Sequence, residues 1–193
     1  PRRQELCIYY IAHDSQKVNI NSQVKLIDGF IKCAAGETFV LWQKYKDDKK
    51  NENPKGGTRT ADVEAQSLLD KGTIPEDFKR IMFYTFGDYG DIFFDTDISK
   101  KVDYVLKAQK NIDELFPTTD KENETKRQEW WNGNGPKIWN AMLCALSYNT
   151  NEKTFKDKVH SQLTTTYGYS KIKFSDNNTT LQEFAERPQF LRW

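Results

Sequence analysis

Apolar residues recur at three- and four-residue spacing along most of the chain, and that spacing predicts helices. The densest run, residues 74–98, places Phe78, Met82, Phe86 (or Thr85), Tyr89 and Phe93 close to one face, with Asp77, Lys79, Arg80, Asp88 and Asp91 mostly off that line. Thr73 and Glu76 have the T-x-x-E spacing of a capping box, and Pro75 falls in the first turn, where a missing N–H costs nothing. Gly87 and Gly90 interrupt this helix, each at a cost of roughly 1 kcal/mol against alanine, which points either to a weak point in the helix or to a close approach by another backbone, the latter favoured.

A second helix is expected from Ser22, with Val24, Ile27, Ile31, Ala34 (or Ala35), Thr38, Trp42 and Tyr45 on one face and Leu26, Phe30, Cys33, Glu37 and Leu41 beside it. Before it, the short apolar run from Cys7 to Ala12 leads into a polar loop. Residues 61–70 read as a short helix ended by Lys71-Gly72, and residues 99–116 as an amphipathic helix stopped by Pro117, with Asp97 or Ser99 as its cap. A polar turn is expected over 118–125. Residues 127–148 form a tryptophan-rich helical stretch in which Gly135-Pro136 leaves open one helix or two. Residues 149–175 are expected to be largely irregular. A last helix starts at Thr180 with Glu183 as its capping-box partner, and Pro188 bends or ends it. No stretch alternates at period two for long, so the predicted class is all-α, a helical bundle with long elaborated loops.

The chain of 193 residues, 37% hydrophobic and 13% aromatic, can bury one sizeable core, so one domain is expected. Charge is plentiful but balanced, with a formal net charge of +1, which excludes a global field for nucleic acid or membrane. No run approaches the roughly 18 apolar residues of a membrane span, and no signal peptide is present. The start at Pro1 and the apolar end at FLRW suggest an excerpt of a longer chain. Residues 44–59 concentrate positive charge, with Lys44, Lys46, Lys49, Lys50, Lys55 and Arg59 against three acids, and contain Pro54, Gly56 and Gly57. They predict a mobile surface loop that either contacts a polyanion or serves as a solvated linker; no aromatic alternates with the lysines after Tyr45, so single-stranded nucleic acid lacks a stacking platform.

Candidate chemistry is sparse. Asp88, Asp91, Asp95 and Asp97 lack the spacing of a calcium loop and read as surface charge and caps. The glycines at 133 and 135 follow a helix and make no phosphate loop. Sequons at Asn123, Asn177 and Asn178 are short enough to arise by chance in an asparagine-rich chain. Cys7, Cys33 and Cys144 with His13 and His160 fit no zinc spacing, and no cluster suits a nucleophile or a cofactor. In an oxidising compartment Cys7 and Cys144 would close most of the chain into a loop and leave one cysteine over; in a reducing one all three are buried thiols.

The order PRRQELC, FIKCAAGETFVLWQKYK, IPEDFKRIMFYTFGDYGDIFFDTDISKK, RQEWWNGNGPKIWNAMLCAL and TTLQEFAERPQFLRW resembles the Duffy-binding-like domain family over nearly the whole chain. It is similar in particular to the middle helical subdomain found in the erythrocyte membrane protein 1 variant antigens of malaria parasites. Gly90 stands where that family usually has arginine, and Phe93 with Phe94 where many members have cysteine, a departure that would leave Cys33 unpaired. The resemblance implies a non-catalytic adhesion module on the extracellular face of the infected erythrocyte. Its expected partners are a host cell-surface receptor protein or a sulfated glycosaminoglycan of chondroitin type, together with neighbouring subdomains of the same chain. It implies an oxidising setting too, and with it the Cys7–Cys144 bridge. The alternative is an architectural subdomain that only spaces its neighbours. Receptor contact is expected on exposed loops, at residues 44–59 or 149–175.

Overall fold

A computed structural model of the protein describes residues 6–52, 60–97, 102–117, 121–150 and 152–192. Among these residues the chain is mostly helical, and one hydrophobic core runs through it. The elements are α1 (Tyr9–Ala12), a 3-10 turn (Asp14–Asn19), α2 (Gln23–Glu52), α3 (Ala61–Asp70), α4 (Glu76–Phe94), α5 (Asp103–Leu115) and α6 (Lys121–Leu146). A two-stranded hairpin follows, β1 (Tyr148–Asn149) against β2 (Thr154–Phe155), and then α7 (Asp157–Tyr167), α8 (Leu181–Glu186) and α9 (Gln189–Arg192).

The two longest helices, α2 and α6, lie against each other, and α4 packs on both. The expected face of α4 is the buried one: Phe78, Met82, Phe86, Tyr89 and Phe93 are all closed to solvent. At its C-terminal end Phe93 stacks on Trp130 (4.7 Å between ring centroids) and Trp131 (5.5 Å) of α6, with Phe30 of α2 and Phe116 edge-on. Such stacked and edge-to-face pairs each add about 1 kcal/mol beyond the area they bury. Both glycines of α4 are close-approach positions, as expected. A Cβ on Gly90 would meet the Trp131 indole at 3.3 Å, and one on Gly87 would collide with the Arg192 guanidinium.

The polar residues of α4 depart from expectation. Asp88 and Asp91 are buried, not surface charges, and Asp91 pairs with Arg192, whose side chain is also buried. A charge can be kept out of water when an opposite charge is held against it. The Thr73–Glu76 capping box does not form. Pro75 is the N-cap, and Glu76 binds Lys79 (2.7 Å) and accepts from the Ser175 hydroxyl (2.9 Å). Asp95 ends the helix in a left-handed conformation (φ 57°). The N-cap of α5 is Val102, not Asp97 or Ser99; residue 99 lies outside the described residues.

Arg127 of α6 is the polar staple of this end. It is buried and donates to the carbonyls of Phe93 (2.8 Å) and Phe116 (2.7 Å) while pairing with Asp113. It thereby satisfies carbonyls at the ends of α4 and α5 that have no partner inside their own helices. The α6 stretch is one unbroken helix despite Pro136, and it starts inside the region expected as a polar turn. Residues 149–175 are far from irregular, since they hold the hairpin strands and α7. The capping box of Thr180 and Glu183 at α8 is formed as its spacing predicts.

Candidate functional site

The basic stretch expected to be a loop is the last part of a helix as far as it is described. α2 continues through Lys44, Lys46, Lys49 and Lys50 to Glu52; Lys55 and Arg59 lie outside the described residues. Helical geometry then separates the lysines. Lys46 and Lys49 face the neighbouring helices, whereas Lys44 lies on another side with Asp48, its partner one turn on at 3.3 Å.

The inward lysines are engaged in holding the fold. Lys49 pairs with Asp77 of α4 at 3.1 Å and lies over the Tyr45 ring, whose hydroxyl donates to the same carboxylate at 2.7 Å. These contacts, although its burial opposes ionisation, keep Asp77 below the usual carboxylate range. Lys46 donates to Gln66 of α3 at 3.2 Å and lies over Trp42, and burial lowers its pKa. Gln66 also accepts from the Trp42 indole and donates to Asp70. The lysines therefore form a seam that fastens α2 to α3 and α4. Of the four described lysines of the cluster, Lys44 and Lys50 are exposed.

All three cysteines are free, and the fold brings Cys7 beside Cys33. The Cys7 sulfur accepts a hydrogen bond from the Cys33 thiol, so the sulfur that Cys7 meets is on α2 and is not that of Cys144 on α6. That bond lowers the Cys7 pKa to about 6 and, with burial, pushes Cys33 up. No disulfide is formed among the described residues, so the structure holds Cys7, Cys33 and Cys144 as free cysteines with Cys33 beside Cys7. Proximity in sequence carried no signal for this contact, because it depends on how the N-terminal segment crosses α2. The segment is fixed there by the Cys7 N–H donating to Glu37 (2.8 Å) and the Tyr89 hydroxyl donating to the Cys7 carbonyl (2.8 Å). Cys144 is half-buried on α6.

The second region expected to carry contacts, 149–175, presents α7 and the segment after it. The Trp139 indole donates to the Tyr167 carbonyl (2.7 Å), and the Tyr167 hydroxyl accepts from the Ile74 N–H (3.2 Å), so the end of α7 is pinned to the turn before α4. Beyond it, the exposed Asp176 accepts from the Asn178 and Thr179 amides and from the Thr179 hydroxyl, which holds its pKa at about 2. Lys71, Lys158 and Lys171 lie around the α7 face, although they are scattered in sequence and form no charge cluster there.

Among the described residues no group of His, Cys, Asp and Glu could hold a metal, and no helix is long and apolar enough to cross a membrane. At the other end of α4, a cavity of about 650 Å³ opens beside Gly90, Phe94 and Trp131, rimmed by Glu124, Glu186 and Phe190. Phe190 and Leu191 of α9 are about 60% exposed, a concentration of bare apolar surface next to that cavity.

The chain is 32% identical over 71 residues to the Duffy receptor of Plasmodium vivax (strain Salvador I), a match that covers 37% of this chain and 6% of that protein. It is 30% identical over 95 residues to the Duffy receptor alpha form of Plasmodium knowlesi, covering 48% of this chain and 9% of that protein. The chain thus spans less than a tenth of the curated relatives it matches. No solved structure matches it. The family model described as the Duffy binding domain matches residues 1–192, and the chain, with its largely helical fold, belongs to that family.

Proposed function

We propose that the protein is a cytoadhesion module of the erythrocyte membrane protein 1 kind, displayed on the extracellular face of an infected erythrocyte, which binds a host receptor protein or a sulfated glycan and carries out no catalysis. The observation that supports this most strongly is the family match over residues 1–192, accompanied by two relatives whose names are those of Duffy receptors. The fold is consistent with such a use. Most of its aromatic residues belong to the core, which leaves the surface of a helical frame for recognition.

Within this proposal the contact surface includes the exposed Lys44 and Lys50 of α2, with Lys55 and Arg59 beyond them; Lys46 and Lys49 act by fastening α2 in place. Binding of the chain to arrayed host receptor ectodomains and glycosaminoglycans, measured at rising salt, tests it. A glycan partner predicts affinity that falls steeply with salt and with the K44Q/K50Q change, whereas a protein partner predicts binding that persists. Absence of binding to every array member rejects the proposal.

The exposed Phe190 and Leu191 beside the cavity at Gly90 favour a second role, docking of a neighbouring subdomain of the same protein. In that role the chain spaces adhesive units. A parent domain that binds no host ligand with this unit intact is the result that selects it.

A further inference from the structure

The hydrogen-bonded thiols of Cys7 and Cys33 meet solvent unequally. Cys33 is closed within the core, whereas Cys7 is half-buried. Cys7 also lines a cavity of about 320 Å³ walled by Leu6, Ile8, Tyr9 and Tyr104, with Lys107 as its cation. That volume suits a small molecule and not a protein loop. A reagent that enters it meets the inner sulfur only through the outer one.

Both cysteines are fixed by contacts of their own. The Cys7 N–H donates to Glu37, one turn beyond Cys33 on α2, and the Tyr89 hydroxyl donates to the Cys7 carbonyl. The Cys33 sulfur accepts from the N–H groups of Tyr10 and Ile11. An open, ionised thiol backed by an enclosed, protonated one is the arrangement that thiol–disulfide exchange requires. The Cys33 hydrogen bond brings Cys7 to a pKa of about 6, against burial and the Glu37 charge. The same contact, with burial, keeps the proton on Cys33. Once the Cys7 sulfur is bonded to another sulfur it carries no charge. The largest influence holding the Cys33 proton is then gone, while the two N–H groups remain to receive a thiolate.

We propose that Cys7 and Cys33 form a dithiol that exchanges with a low-molecular-weight disulfide of glutathione type at this cavity. First the Cys7 thiolate attacks one sulfur of the small disulfide, whose S–S bond breaks, and one small thiolate leaves and takes a proton from solvent. Cys33 then gives its proton to solvent and attacks the Cys7 sulfur, and the second small thiolate leaves and is protonated. The chain is oxidised to a Cys7–Cys33 disulfide and the small disulfide is reduced to two thiols. Each chain reacts once, and the chemistry uses none of the surfaces assigned to adhesion.

The test is reaction of the whole reduced chain with oxidised glutathione at pH 6, quenched with acid over time and read by intact mass and peptide mapping. A glutathione adduct on Cys7 is expected to appear first and to give way to a Cys7–Cys33 bridge, with two glutathione thiols released per chain. C33A, which keeps an apolar side chain in the core, is expected to stop at the Cys7 adduct and lose the bridge. C7S is expected to lose both. In the unaltered chain, the absence of a Cys7 adduct, an adduct that persists without a bridge, or a bridge that includes Cys144 overturns the proposal, whether or not either variant folds. The adhesion proposal stands under each of these outcomes.

Discussion

Cys7 and Cys33 illustrate how a single contact depends on the fold. They are hydrogen-bonded thiols, Cys7 held near pKa 6 by the proton that Cys33 shares with it. Oxidation is therefore expected to join these two and to leave Cys144 free, and closing the 7–33 loop is worth about 3–4 kcal/mol in the chain-entropy model. Peptide mapping of the unreduced, oxidised chain checks this; a Cys7–Cys144 peptide contradicts it. In the reduced chain, iodoacetamide at pH 7 is expected to label Cys7 ahead of Cys33. Asp176 gives a pH-dependent counterpart. Its folded pKa of about 2 lies below the ordinary value near 3.9, so its contribution to the 174–180 segment is fully present above about pH 4 and is lost as pH falls toward 2. Amide shifts of Asn178 and Thr179 should titrate in that window and lose the transition in Asp176→Asn. None of these partners was legible in the sequence at residue level. The partner of Asp91 is 101 residues away, and an acid whose counter-charge is that remote reads as surface charge.

Elements were more legible than contacts, because helical periodicity is a local property. The buried face of α4, the span of α3 and the cap of α8 follow directly from spacing. The misreadings have local reasons too. α7 buries only Val159 and Leu163, too few apolar positions to show a stripe, and the lysine-rich end of α2 looks like a loop because its helix is supported from outside by Asp77 and Gln66. Pro136 does not break α6, since buried Ile138, Trp139, Met142 and Leu143 after it and Trp131 before it anchor both halves to the core. Arg127 joins three elements at once, and Arg127→Ala is expected to lower the unfolding free energy by about 2–4 kcal/mol because it leaves buried carbonyls unmatched. Arg127→Lys should recover only part of this, since one ammonium lacks the guanidinium fork. Urea unfolding of both variants measures the effect, and a loss below about 0.5 kcal/mol for the alanine variant removes the staple from the account.

At the scale of the molecule, α2, α4 and α6 form the frame around one core, and the surfaces available for recognition lie on what the frame holds. The candidate site was only partly visible in advance. The lysines of α2 were found as a cluster, yet the fold divides them between structural seam and open surface, and the α7 face draws its cations from positions 71, 158 and 171. Charge scattered in sequence becomes a patch only after folding. The central claim is that this chain recognises a host cell surface, and flow cytometry of the labelled, folded chain on a panel of host endothelial cells and erythrocytes tests it most directly. The expected result is saturable staining of at least one receptor-bearing cell type, competed by unlabelled chain and lost when its surface proteins or acidic glycans are stripped. Staining that is absent from every cell type, or that persists unchanged after both are removed, contradicts it.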